Sequence, residues 1–180
     1  METSEIYAGL KTHPLTKDCI ERVCASDELP DKSTLKYNED GITFIVVNLD
    51  PSYLPGSHWV AIRLGASKKI ITEYFDSYGQ DPDETIQTYI GANYIAQTKQ
   101  LQSPMSTICG QWCMYYILYR CRGYSLTEFV SQFNKNLKLN DKIVNEYINS
   151  EFTGAHEPLM DLDFWASQIS QSMLETFGTK

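Results

Sequence analysis

No apolar run in this sequence reaches about eighteen residues, the length a membrane-spanning helix requires, so a spanning segment is not expected. The opening stretch METSEIYAGLKTHPLTK has neither a basic leader nor a hydrophobic segment, so a secretory signal is not expected there and the protein is not expected to be secreted. Internal repeats and low-complexity tracts are missing too. Basic residues are in deficit: 15 Lys and Arg face 23 Asp and Glu, for a formal net charge of −8 and a pI of about 4.8. No stripe dense in Lys and Arg offsets that balance, which argues against a protein that tracks nucleic-acid phosphates. The densest acidic stretch, DPDE at 81–84, reads as a solvated turn.

Cysteine pairing is excluded next. The five cysteines (Cys19, Cys24, Cys109, Cys113 and Cys121) are odd in number and lack an export signal, so free thiols in a reducing compartment are expected. A zinc site built from Cys109, Cys113 and a histidine is disfavoured, because structural zinc sites show close Cys or His pairs at two places and a second pair is missing.

What is present is ordinary for a globular chain: 42% hydrophobic and 21% charged residues, which excludes wholesale disorder. A length of 180 residues suffices for one domain with a real core, and residues 1–180 read as a single domain. A short helix is expected over 14–25, with Ile20 and Val23 as its apolar patch, followed by a polar connector to residue 41. ITFIVVNL (42–49) is β-branched and almost continuously apolar, the pattern of a strand buried on both faces. DPSYLPGS breaks the chain, and HWVAIRL (58–64) resumes it as a strand. GASKK turns it into a third strand, IITEYF (70–75). A helix over 82–91 and a strand over 94–101 follow. Residues 109–121 have helix-like length and no proline, and Ser125 with Glu128 has the spacing of a capping box. Further amphipathic helices are expected near 140–150 and 158–176. The fold class is therefore α+β: a small mixed sheet packed on a central helix that begins at Cys109, with further helices around it.

The position of Cys109 is its distinguishing feature. It stands where the polar loop SPMST meets the apolar helix, and unpaired N–H groups at a helix start favour thiolate, the nucleophilic form. Gly110 behind it leaves room for a substrate carbonyl near the backbone. A buried core thiol is the plainer alternative for such a residue. Cys113 and Cys121, further along the helix, read as core thiols, and Tyr115, Tyr116 and Tyr119 as core and rim.

A cysteine nucleophile needs a base. Among three histidines, His13 beside Pro14 and His156 in TGAHEP read as surface residues, whereas His58 opens an apolar strand just after a chain break. If strands 58–64 and 70–75 form a hairpin, Asp76 lies beside His58, where a carboxylate can select the tautomer and stabilise imidazolium. Without that pairing Asp76 is a turn residue. Gln102, just upstream of the helix, can offer a side-chain amide to a developing oxyanion, beside the backbone N–H of Cys109; the alternative is a solvent-facing glutamine.

Taken in order, GSHW with its apolar strand, then YFDSYG, then a Gln seven residues before CG, resembles the adenain-like viral cysteine proteases. These are maturation proteases of adenoviruses, with relatives in virophages and Maverick-type elements, and they share their core with SUMO- and ubiquitin-like-specific proteases. The similar stretch runs over residues 42–122. The resemblance implies His58 as base, Asp76 as orienting acid, Cys109 as nucleophile and Gln102 as oxyanion donor, with Trp59 walling the substrate groove. It further implies an endopeptidase that cuts viral capsid and core precursors after a small, glycine-type residue, in the virion and in the cytoplasm or nucleus of the infected cell. Two departures matter. Asp76 stands where the adenoviral enzymes have Glu, and Asp is the usual acid of the SUMO-protease branch. The adenoviral enzyme is basic and is activated by DNA and a disulfide-tethered peptide, whereas this chain is acidic and carries no cysteine between Gly91 and Gln102. DNA dependence, a metal, a membrane and a fixed cofactor are therefore not expected, a non-covalent activating peptide stays open, and a monomer is expected. Trimming of ubiquitin-like modifiers after Gly-Gly is the second enzymatic reading. A non-catalytic pseudo-protease scaffold is the third, and the intact four-residue constellation stands against it.

Overall fold

The computed structural model describes residues 1–152. Helix α1 (Thr3–Thr12) leads into strand β1 (Ile20–Ala25), two short 3-10 turns, and strands β2 (Ile42–Asn48), β3 (Trp59–Gly65) and β4 (Thr72–Phe75). Helix α2 (Glu84–Ile90), strand β5 (Tyr94–Ala96) and helices α3 (Cys109–Cys121), α4 (Leu126–Ser131) and α5 (Leu137–Phe152) follow. The strands form one mixed sheet in the order β1-β2-β3-β4-β5. The inner pairs β2/β3 and β3/β4 are antiparallel, and the outer pairs β1/β2 and β4/β5 are parallel.

The sheet is covered on both faces, which is why β2 is apolar almost throughout. Phe44, Val46, Ala61 and Phe75 pack against α1, α3 and α5, while Ile45, Val47, Val60, Ile62 and Tyr74 pack against Ile86 and Ile90 of α2. Helix α3 is the hub of the first face: Trp112 through Tyr119 are all buried, as a helix apolar on every side must be. Its tyrosines are core residues; the Tyr116 ring stacks on Phe75 at 4.6 Å, and Phe129 of α4 packs edge-on against it.

The 58–64 and 70–75 strands pair as a hairpin, with Ala61 opposite Phe75 and Arg63 opposite Glu73, although β4 begins only at Thr72. Ser125 and Glu128 form the expected capping box: Ser125 Oγ accepts the Glu128 N–H at 3.2 Å and Glu128 Oε2 accepts the Ser125 N–H at 2.7 Å. Asp83 in the acidic stretch caps α2 by accepting the Ile86 N–H at 2.8 Å.

Two expectations fail, one near the N-terminus and one in mid-chain. Residues 14–25 do not form a helix: 20–25 are a strand, because Ile20, Val23 and Cys24 become buried when β1 pairs with β2 in parallel. That pairing is non-local and leaves no local period to read. The helix lies earlier, at Thr3–Thr12, where Ile6 and Leu10, one turn apart, are both fully buried and Glu2 and Glu5 make a capping box. The strand expected over 94–101 stops at Ala96, since the N–H groups of Leu101 and Gln102 turn to the Ser77 carbonyl at 2.9 Å instead of continuing the ladder. The helix expected over 158–176 lies outside the described residues. Among the described residues no helix is long and apolar enough to cross a membrane.

Candidate active site

The β2–β3 connection delivers His58. Asn48 ends β2 and pins that connection, its Oδ1 accepting the N–H groups of Asp50 at 3.0 Å and Ser57 at 3.2 Å. Gly56 takes φ +90°, and a Cβ there would approach Asn48 Nδ2 to 2.6 Å, so glycine is required for the loop to close on Asn48. The His58 carbonyl then accepts the Leu49 N–H at 2.9 Å, which fixes the backbone of the histidine just before β3.

From the paired strand, β4 ends at Phe75 and presents Asp76, whose side chain is 1% exposed. Asp76 Oδ1 lies 2.7 Å from His58 Nε2 and 2.8 Å from the Tyr78 N–H. A carboxylate only accepts, so Nε2 carries the proton and Nδ1 is the ring nitrogen left for a second partner. The Tyr78 ring lies against the imidazole, centroids 4.7 Å apart at 31°. The turn is closed by the Gly79 N–H donating to the Asp76 carbonyl at 2.9 Å. Gly79 has φ +71°, and a Cβ would come within 2.7 Å of the Thr98 carbonyl oxygen.

Cys109 is the first residue of α3 and is half-buried. Burial pushes its thiol up, but the neighbouring His58 and the backbone N–H groups of Trp59 and Gly110 favour the thiolate, outweigh burial and lower its pKa below the usual thiol value. For His58, burial opposes the charge, yet Asp76 and Cys109 together raise the imidazole to about 9. Both shifts favour a thiolate–imidazolium pair. His58 Nδ1 is buried and makes no hydrogen bond of ordinary geometry. Cys113, one turn further on, is the opposite case: burial raises its pKa well above normal.

Gln102 is fully buried, not solvent-facing. Its Oε1 accepts from the Ser77 hydroxyl at 2.6 Å, and its Nε2 donates to the Ser106 carbonyl at 3.0 Å and contacts the Tyr78 hydroxyl at 3.4 Å. Trp59 both packs into the core and lines a groove of about 540 Å³ beside Cys109, together with Asn48, Asp50, Tyr78 and Ser106. Its indole N–H donates to the Met1 carbonyl at 3.3 Å. Gly110 is buried, and a Cβ there would meet Ile6 at 3.0 Å and the Met1 side chain at 3.3 Å. Glycine at that position admits the close approach of α1.

His13 corrects its reading as a surface residue. It is buried, with Nε2 2.8 Å from Glu151 and Nδ1 accepting the Leu15 N–H at 3.2 Å, and so ties the end of α1 to α5. His156 lies outside the described residues. All five cysteines are free. Among the described residues no group of three or more His, Cys, Asp or Glu is placed to hold a metal ion. Two site neighbours escaped the sequence reading, Ser77 and Tyr78; their only signal was their place directly after the acid.

No family model matches the chain, and no curated protein does. Among solved structures it is similar to the ASFV pS273R protease, with TM-score 0.48 and 23% identity over 62% of this chain and 44% of that one. It thus spans less than half the length of that protease. It is also similar to the central domain of the uncharacterized Lpg1148 protein from Legionella pneumophila, with TM-score 0.45 and 13% identity over 84% of this chain and 98% of that domain.

Proposed function

We propose that this chain is a single-domain cysteine endopeptidase in which Cys109 is the nucleophile, His58 the base and acid, and Asp76 the orienting carboxylate. The observation that carries the reading is the His58–Asp76 contact of 2.7 Å with the Cys109 thiol, at a helix start, interacting with the same imidazole. Thiolate attacks the scissile carbonyl carbon; the C–S bond forms and the carbonyl electrons move to oxygen. The backbone N–H of Cys109 and the Gln102 amide stabilise that oxyanion. On collapse the C–N bond breaks, and the imidazolium passes its Nδ1 proton to the leaving amine. A water then loses its proton to His58, attacks the thioester and releases the acid, restoring thiolate and imidazolium. Asp76 stays ionised throughout and holds the ring. Trp59 walls the groove that takes the substrate in extended form, next to Gly110.

The substrate class rests on the motif resemblance. Viral capsid and core precursor proteins are cut after a small, glycine-type residue during virion maturation, in virions or infected cells, by a monomer that needs no metal and no DNA and at most a non-covalent peptide. The test is co-expression with candidate capsid precursors and, separately, with ubiquitin-like precursors, reading cut sites by mass spectrometry against a Cys109→Ala control. Cuts after glycine in capsid precursors support the reading. Cuts confined to Gly-Gly ends of modifiers reassign the substrate, and no Cys109-dependent cut in either set removes the activity and leaves the scaffold role.

A further inference from the structure

Between the two residues that touch His58 lies Ser77, itself 1% exposed. Its hydroxyl donates to Gln102 Oε1 at 2.6 Å, and its carbonyl accepts the backbone N–H groups of Leu101 and Gln102, each at 2.9 Å. A primary amide has two chemically opposite ends, oxygen that only accepts and nitrogen that only donates. Here the nitrogen end faces the Ser106 carbonyl and the Tyr78 hydroxyl, and both of those residues line the groove with Cys109. Turned by half a rotation, the amide would set its oxygen against the Ser106 carbonyl, two acceptors with no proton between them. The Ser106 carbonyl, which only accepts, therefore selects the observed state, and the Ser77 hydroxyl, able to serve either end, anchors the amide in it by donating to Oε1. Ser77 and the Gln102 amide are out of water, where an unmet hydrogen bond is costly.

We propose that Ser77 is a positioning residue of this site: its hydroxyl holds the oxygen end of the Gln102 amide so that the N–H end stays on the side of Cys109. The inference rests on the endopeptidase reading and deepens it. The shorter contact, to Ser106 at 3.0 Å, orients the amide, and the longer one, to Tyr78 at 3.4 Å, is the N–H that an oxyanion takes over. Because Ser77 is bonded to Asp76, one tripeptide sets both the base and the oxyanion donor. Asp76 holds the imidazole that faces the sulfur, and Ser77 holds the amide that faces the oxygen.

Two readouts test this. The first needs no turnover: hydrogen exchange of the Gln102 side-chain amide by NMR, in wild type and Ser77→Ala. Exchange at Gln102 Nε2 is expected to speed up about tenfold, the worth of one neutral hydrogen bond. The Leu101 and Gln102 backbone amides, which use the Ser77 carbonyl that alanine retains, are expected to stay protected. An unchanged side-chain amide, or a loss of protection shared by all three, overturns the inference. The second is a double-mutant cycle on a fluorogenic glycyl peptide amide. Ser77→Ala is expected to lower kcat about tenfold with KM unchanged, and to cost nothing further in a Gln102→Ala background. An equal loss in that background, or a loss in KM alone, refutes it. If wild type turns over no peptide while the NMR effect is present, the endopeptidase reading fails and the control of the Gln102 amide by Ser77 stands. Normal turnover in Ser77→Ala with an unmoved amide is the reverse case.

Discussion

His58 Nε2 and the backbone N–H of Tyr78 share one oxygen, Oδ1 of Asp76, at 2.7 and 2.8 Å. The acid is thereby locked by its own turn before it orients the imidazole. An asparagine at 76 keeps a carbonyl oxygen for both donors, so the hydrogen-bond geometry survives and only the negative charge is lost. Asp76→Asn is expected to lower kcat by about 10²-fold or more, within the range for a displaced general base, and to bring the His58 pKa down from about 9. The measurement is the pH–rate profile of the variant; a kcat within threefold of wild type rules out the assigned role.

Cys109→Ala is expected to abolish turnover with the fold retained, while Cys113→Ala keeps most activity. The physical contrast is plain: the Cys109 thiol is half-buried with a lowered pKa, and Cys113 is 1% exposed with a raised one. Iodoacetamide, followed by peptide mapping, should modify Cys109 first. The Cys19 pKa is also lowered, chiefly by its contact with the Cys121 thiol, but Cys19 is buried and should react later. Labelling of Cys113 at a rate equal to that of Cys109 contradicts the assignment.

If Cys109 and His58 act as proposed, the active species is expected only in a window of pH. Cys109 loses its proton below the usual thiol pKa, and His58, raised to about 9, keeps its proton until then. As pH rises, kcat/KM should climb while the thiol ionises, level off, and fall as His58 deprotonates near 9, because the leaving amine then lacks its proton donor. Alkylation of Cys109 uses thiolate alone and should not fall on that alkaline side. Parallel profiles for alkylation and hydrolysis above pH 9 contradict the ion pair.

Duplex DNA is expected to leave the rate unchanged. Binding to phosphates needs clustered Lys and Arg that release counterions, and here 15 basic residues face 23 acidic ones. A peptide-cleavage assay at low salt, with and without DNA, reads this directly. A large acceleration that vanishes as salt rises refutes it.

How much was legible from the chain itself follows from range. The apolar β2 run, the Pro-free stretch over 109–121 and the Ser125 cap are local signals, and a local period or cap chemistry acts before any tertiary contact forms. They place Cys109 at a helix start and pair Asp76 with His58 through one short hairpin. Strand β1 gains its identity from residues about twenty positions away in β2, a pairing no local pattern encodes. The α1 signal was present in Ile6, Leu10 and the Glu2–Glu5 box, but tertiary packing gives that helix its place: Ile6 and Leu10 enter the core, Gly9 lies against Met114 of α3, and Gly110 of α3 lies against Ile6. The pKa pair at Cys109 and His58 depends on burial and on which N–H groups reach the sulfur, and the direction of the Gln102 amide depends on Ser77 across the turn. Residue types and spacing determined which groups could react. Burial and hydrogen-bond direction, which arise only when distant segments meet and exclude water, decided how those groups are charged and where they point.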